Sequence, residues 1–199
     1  MKQGLPFAND KMVVGLLGGS FDPPHAGHLH ITRWAIRAFG LHAVWWLVTP
    51  GNPLKAHGPA PLEKRVAAAR SLVNDPRIVV SDLEAKIGTR YTAETLEVVT
   101  ALYPGTRFVW LMGADNLRGF HRWDRFDDIM HQVPVGVLAR PGEQLGAGTS
   151  KAARKYARFR LSQRRASALP FREAPCWCLL TGPMVNLSSS ELRAKGQWA

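Results

Sequence analysis

A doubly wound α/β architecture, a parallel sheet with helices on both faces, is the fold class this sequence predicts, and three observations predict it. Strand-like apolar runs alternate with helical stripes along most of the chain. The runs are apolar throughout rather than at every second residue, as strands buried on both faces require. A chain of 199 residues is long enough for one sizeable α/β domain and short for two. Residues 1–199 are therefore expected to form a single domain, with 1–11 as an N-terminal tail.

Each element follows in order. Met12–Leu17 is a short apolar run ending in Gly18-Gly19, a strand entering a turn. Ile31, Trp34, Ala35, Ala38 and Phe39 then mark the stripe of an amphipathic helix, with Gly40 at its C-cap. Ala43–Val48 reads as the second strand, and a Pro- and Gly-rich loop runs from Pro50 to Pro61. Leu62–Val73 is a helix, Arg77–Val80 a strand, Thr92–Leu102 a helix and Arg107–Met112 a strand. A short helix over Asp124–His131 and a strand over Val133–Leu138 come next. A strand around Trp177–Leu180 leads to a closing helix that starts near Ser188. Sheets of this kind bind ligands beyond the carboxyl ends of their strands, where strand order reverses. The loops after Leu17, Val48 and Met112 are expected to converge there.

Composition narrows the class. Hydrophobic residues at 46% and charged residues at 21% are ordinary for a globular protein. No apolar run approaches the roughly 20 residues of a membrane span, and the first residues lack the apolar core of a signal peptide. A cytoplasmic protein with no membrane partner is expected. Cys176 and Cys178 are expected to face opposite sides of a strand, unbridged, as reduced structural thiols. The net charge of +11 is local: eight Lys and Arg with no acid lie between Ser150 and Arg172, leaving +3 elsewhere. That segment, 150–172, is expected to be a cationic surface helix with Tyr156, Phe159 and Leu161 on its buried side. Basic side chains with interleaved aromatics can also track a phosphate backbone; the helix is the preferred reading, so nucleic acid is not the expected partner. A homo-oligomer is compatible with the sequence, which does not decide the matter.

The loop after the first strand reads G-G-S-F-D-P-P-H-A-G-H, from Gly18 to His28. Gly18 and Gly19 permit close backbone approach and positive φ. Pro23 and Pro24 stiffen the loop, and His28 lies at the helix start. Two imidazoles beside a helix N-terminus form a site for anionic oxygens, and phosphate is one. Zinc is an alternative for a His pair, but no third ligand follows. The second motif, Asn186-Leu187-Ser188-Ser189-Ser190-Glu191-Leu192-Arg193, has two readings of its own. Ser188 and Glu191 match a capping box; equally, hydroxyls, helix amides and Arg193 could grip phosphates.

Gly19-Ser20-Phe21-Asp22-Pro23 followed by His25-x-Gly27-His28 resembles the first signature of the H-x-G-H nucleotidyltransferase superfamily. Ser188-Ser189-Ser190-x-Leu192-Arg193 resembles its second, with Ser for the usual Thr and Leu for Ile or Val. Within that superfamily, Pro53-Leu54-Lys55, Tyr91-Thr92-x-x-Thr95-Leu96 and Met112-Gly113-Ala114-Asp115-Asn116…Trp123 resemble the nicotinate-nucleotide adenylyltransferase branch. The resemblance runs from about Val13 to Arg193. The phosphopantetheine adenylyltransferase branch fits less well, because its first motif usually reads Thr-x-Gly-His.

The resemblance implies a Rossmann-like fold and transfer of AMP from ATP to nicotinate mononucleotide, giving deamido-NAD and pyrophosphate. It implies His25, His28 and Arg193 as catalytic residues. ATP would be held by Gly19, Ser20, Phe21, His25, His28, Gly113, Asp115, Ser188, Ser189, Ser190 and Arg193. Lys55, Thr92 and Trp123 would hold the mononucleotide, Trp123 by stacking on the pyridine ring. Read without the resemblance, Trp123 could be core and Asp115 the N-cap of the next helix. Mg²⁺ is expected with ATP, held mainly by substrate and water, since no acidic cage is visible.

Overall fold

The apolar runs become seven strands: β1 Val13–Gly19, β2 Ala43–Val48, β3 Ile78–Ser81, β4 Arg107–Gly113, β5 Val135–Ala139, β6 Arg160–Leu161 and β7 Trp177–Thr181. They form one sheet in the order β3-β2-β1-β4-β5-β7-β6, with every pairing parallel. The computed structural model describes residues 4–51, 58–139, 144–182, 189–194, 196 and 198. The chain winds outward from β1 through β2 to β3, then returns to lay β4 on the other side of β1. The switch point is therefore the gap between β1 and β4.

Sheet burial on both faces explains the strand sequences. Every residue of β2, AVWWLV, is buried. Alternation sends Trp45 into one core layer with Leu16, Phe108 and Trp110, and Trp46 into the other with Leu17, Val109 and Leu111. Buried aromatics of this size remove roughly 150–250 Å² each from water and dominate the two layers.

Helices α1 (Ala26–Phe39) and α2 (Leu62–Leu72), with a 3-10 stretch over Gln163–Phe171, cover the Trp46 face. The other face is covered by α3 (Leu83–Ile87), α4 (Thr92–Leu102), α5 (Ala114–Gly119), α6 (Phe126–Gln132), α7 (Gln144–Gly148) and α8 (Lys151–Lys155). The closing helix α9 (Ser189–Ala194) lies against the loop that follows β1. Among the described residues no helix is long and apolar enough to cross a membrane.

The predicted elements are present, with ends displaced by one or two residues. Three expectations need correction. In α1 the buried stripe is Leu29, Thr32, Ala35, Ile36 and Phe39, while Ile31, Trp34 and Ala38 are half-buried. Thr32 joins the stripe because its hydroxyl is doubly satisfied: it donates to the His28 carbonyl at 2.7 Å and accepts from Trp46 Nε1 at 2.8 Å.

The segment 150–172 is not one helix. It breaks into α8, a 3-10 turn over Ala157–Phe159, β6 and the 3-10 stretch ending at Phe171. Tertiary bonds divide it. The Tyr156 carbonyl accepts from Trp177 Nε1 at 2.8 Å, and its hydroxyl donates to Asp127 at 2.7 Å. Arg160 and Leu161 then pair with β7. Tyr156 is buried as expected; Phe159 and Leu161 are only half-buried.

Cys176 and Cys178 do not face opposite sides. Residues two apart on an extended chain point the same way, and both thiols lie in the core layer of α1. They are free, and burial pushes both upward, Cys178 to about 11.

Candidate active site

Residues Ser20–His25 connect β1 to α1 at the switch point. Gly18, at the end of β1, works by lacking a side chain: a Cβ there would lie 2.6 Å from Trp110 Cη2. Neither Gly18 nor Gly19 uses the positive φ open to it; that conformation falls on Phe21, at φ 46°. A left-handed backbone is costly for an aromatic residue. Packing holds it there, with the buried Phe21 ring stacked on Trp46 at 4.9 Å and 4.8 Å from the His28 ring.

His25 is the N-cap of α1 and only 7% exposed. Its Nδ1 accepts from the Gly27 amide at 3.1 Å, and His28 Nδ1 accepts from the His25 amide at 3.2 Å. An acceptor nitrogen carries no proton, so in each neutral ring the proton is on Nε2. The fold thus presets two Nε2–H donors, on rings 3.9 Å apart, at the N-terminus of a 14-residue helix. Among the described residues no cluster of three or more His, Cys, Asp or Glu could hold a metal ion.

The closing helix supplies the opposite wall. Ser189 Oγ donates to the Pro23 carbonyl at 2.9 Å. Arg193 donates to the Asp22 carbonyl and lies 3.6 Å from its carboxylate. Its second amino group reaches Ser190 Oγ at 3.3 Å. Asp22 also accepts from Trp198 Nε1 at 2.7 Å and from the Ala60 amide at 3.4 Å. Asp22 therefore ties the C-terminal segment to the first loop.

Gly113 ends β4 beside β1, and Asp115 follows in the first turn of α5. Asp115 is exposed and is not the N-cap, a place that Gly113 takes. Its carboxylate lies across Gly113, 2.3 Å from where a Cβ would stand. Thr92 is the first residue of α4, half-buried. Trp123 follows the 3-10 turn Phe120–Arg122; half-buried, it packs edge-on against Trp110 at 6.3 Å and Phe120 at 5.3 Å. Thr92 and Trp123 belong to the same face of the sheet, the α4–α6 layer. Lys55 and Ser188 lie outside the described residues.

Two residues escape motif reading. Arg65, 1% exposed, donates to four carbonyls: Ala60 at 2.6 Å, Ser20 at 2.7 Å, Thr49 at 2.8 Å and Pro50 at 3.2 Å. It clamps the loop after β1 to the loop after β2. Burial lowers its affinity for the proton and Asp22 offsets part of that. Its signal was available: Leu62, Arg65, Val66 and Ala69 share one face of α2, so a cation stands in an apolar stripe. Glu84, 4% exposed at the start of α3, is the second, and burial raises its carboxyl to about 7. Nothing local in the sequence marks it.

Two imidazoles at a helix N-terminus, at the switch point of a parallel sheet covered on both faces, define the class: a Rossmann-like α/β protein. The chain belongs to the cytidylyltransferase-like family, whose model matches residues 16–195. It is 56% identical over 199 residues to a protein of Ruegeria pomeroyi, covering all of this chain and 93% of that one. It is 63% identical over 187 residues to one of Cereibacter sphaeroides, covering 94% and 99%. Both are named as probable nicotinate-nucleotide adenylyltransferases. The fold is shared with the Plasmodium falciparum nicotinic acid mononucleotide adenylyltransferase solved with NaAD, at a TM-score of 0.71 and 18% identity over 92% of this chain and 83% of that one.

Proposed function

We infer that the protein transfers AMP from ATP to nicotinate mononucleotide, releasing pyrophosphate and forming deamido-NAD. The 63% identity to a relative of that name, along nearly the whole of both chains, carries the reading. In the reaction a phosphate oxygen of the mononucleotide attacks the α-phosphorus of ATP in line. One P–O bond forms as the bond to pyrophosphate breaks. A phosphate monoester is already a nucleophile, so no covalent enzyme intermediate is required. Catalysis is then positioning and charge stabilisation.

His25 and His28 donate from Nε2 to the transferring and leaving phosphate oxygens. The tautomers preset by the Gly27 and His25 amides support these roles. Arg193, with Ser188, Ser189 and Ser190, holds the departing pyrophosphate, so ATP takes Arg193 over from Asp22. Gly19, Ser20, Phe21, Gly113 and Asp115 line the ATP side, with Asp115 accepting from ribose hydroxyls. Lys55 and Thr92 meet the mononucleotide, and the exposed part of the Trp123 indole stacks on its pyridine ring.

Mg²⁺ would have to arrive on ATP's phosphate oxygens as part of the substrate. Asp22 is a single carboxylate whose Oδ1 already accepts from Trp198 Nε1 and the Ala60 amide, and it supplies no multi-carboxylate cage for the ion. The protein works in the cytosol, where Cys176 and Cys178 stay reduced.

The test is pyrophosphate release with ATP and Mg²⁺, run in parallel with nicotinate mononucleotide, nicotinamide mononucleotide and phosphopantetheine. Turnover is expected with the nicotinate substrate well above the others. Silence with all three, from folded protein that still binds ATP, would discard the substrate and keep the nucleotide site.

A further inference from the structure

A buried carboxyl outside the machinery described so far, Glu84, meets α4 at Thr95, one helical turn after Thr92. Glu84 is 4% exposed, and its Oε2 has no hydrogen-bond partner among the described residues. Its other oxygen, Oε1, is 3.4 Å from Thr95 Oγ1. Thr95, fully buried, is in turn 3.1 Å from the carbonyl of Tyr91, the N-cap of α4, and 2.9 Å from Thr89 Oγ1. Glu84 also interacts with Thr49, the residue after β2, whose amide is bonded to Gly19 at 3.0 Å. One side chain therefore joins the first turn of α4, where Thr92 sits, to the ends of β2 and β1.

Direction in this chain of bonds depends on one proton. A protonated Glu84 can donate to Thr95, which leaves the Thr95 hydroxyl proton for the Tyr91 carbonyl as a second donor beside the Thr95 amide. An ionised Glu84 can only accept, so it draws the Thr95 hydroxyl to itself and leaves the Tyr91 carbonyl with the Thr95 amide alone, at 3.0 Å. It also puts a negative charge, with little water to screen it, beside Thr95, one helical turn after Thr92 of the anionic substrate's subsite. The ionisable groups of the elements packed round it are engaged elsewhere. On α3, Lys86 pairs with Asp82 at 2.8 Å. On α4, Glu94 accepts from the Arg90 and Tyr91 amides and Glu97 pairs with Arg125. The facing strand β2 has no ionisable residue.

We propose that Glu84 is a positioning residue for the mononucleotide subsite and works in its protonated form, making binding of the anionic mononucleotide weaken as pH rises. The proposal rests on the adenylyltransferase reading.

The experiment measures KM for nicotinate mononucleotide and for ATP, and kcat, between pH 6 and 8.5, in the wild type, E84Q and E84A. Thermal unfolding is followed over the same range without substrate. Wild-type KM for the mononucleotide is expected to rise about tenfold across the range while KM for ATP holds. E84Q, which keeps a donor and cannot ionise, should stay near the wild-type pH 6 value throughout. E84A should be weak at every pH. Unfolding temperature should fall with pH relative to E84Q. Turnover with a KM profile that E84Q shares, or one that moves equally for ATP, overturns this proposal and leaves the enzyme reading standing. Parallel unfolding profiles for wild type and E84Q overturn it independently of any turnover. No turnover with any mononucleotide overturns both.

Discussion

At the scale of single residues, two imidazoles and one carboxyl decide most. Removing one donor from a preorganised anion site typically costs about 10²–10³ in kcat, roughly 2.7–4 kcal/mol. His25→Ala and His28→Ala should each lose activity on that scale in the pyrophosphate assay; near-normal kcat in either folded variant would remove that histidine from the mechanism. Trp123→Ala should raise KM for the mononucleotide with little change in kcat, and an unchanged KM would end the stacking assignment. Glu84 also carries a stability consequence. Its folded value of about 7 lies above the ordinary 4.5, so the folded state binds more protons between those values. Stability then falls as pH rises from about 4.5 to 7 and levels off above, by up to about 3 kcal/mol. Urea unfolding at pH 8 should find Glu84→Gln more stable than wild type; equal stability would contradict the burial argument.

Whole elements are held to the site by contacts that a helix-by-helix reading misses. The end of β1 lies so close to Trp110 that Gly18→Ala forces a 2.6 Å contact between a Cβ and the indole. Overpacking of this kind costs typically 1–3 kcal/mol, and a lowered urea midpoint with an unchanged slope would register it. Arg65 joins the α2 helix to two loops through four carbonyls. Arg65→Met strips those buried carbonyls of their donor and should destabilise by about 3 kcal/mol or more. Arg65→Lys should restore only part, since a compact ammonium cannot reproduce the guanidinium fork. Full rescue by lysine would mean that charge, not geometry, fixes the loops. Predicted element positions were close for strands and long helices, because continuous apolar runs and a 3.6-residue stripe are strong signals. The segment 150–172 was misread because Tyr156, Trp177 and Asp127 break it through bonds to distant residues.

Across the whole molecule, the site is assembled from opposite ends of the chain. Ser189 and Arg193 reach Pro23 and Asp22, over 160 residues away in sequence. A ligand that binds only this assembled state stabilises it by mass action, about 2.7 kcal/mol at a hundred times its Kd. At roughly 2–4 °C per kcal/mol for a chain of this size, ATP with Mg²⁺ should raise the unfolding temperature by about 5–10 °C. Arg193→Met should lose most of that rise while folding normally. A full shift in the variant would take Arg193 out of phosphate binding.

The sequence by itself determined the fold class, the order of the main strands and helices, and the two motifs that bracket the site. It could do so because periodicity, turn chemistry and motif spacing are local. It also placed the two histidines at a strand-to-helix junction. Only the tertiary structure decided which imidazole nitrogen carries the proton, since that depends on backbone amides brought within 3.2 Å. The strain at Phe21 in place of Gly19, the common face of the two cysteines, and the roles of Arg65 and Glu84 were decided there too. Each depends on burial beside residues distant in the chain, and burial changes what a charge or a hydroxyl costs in ways no local pattern records.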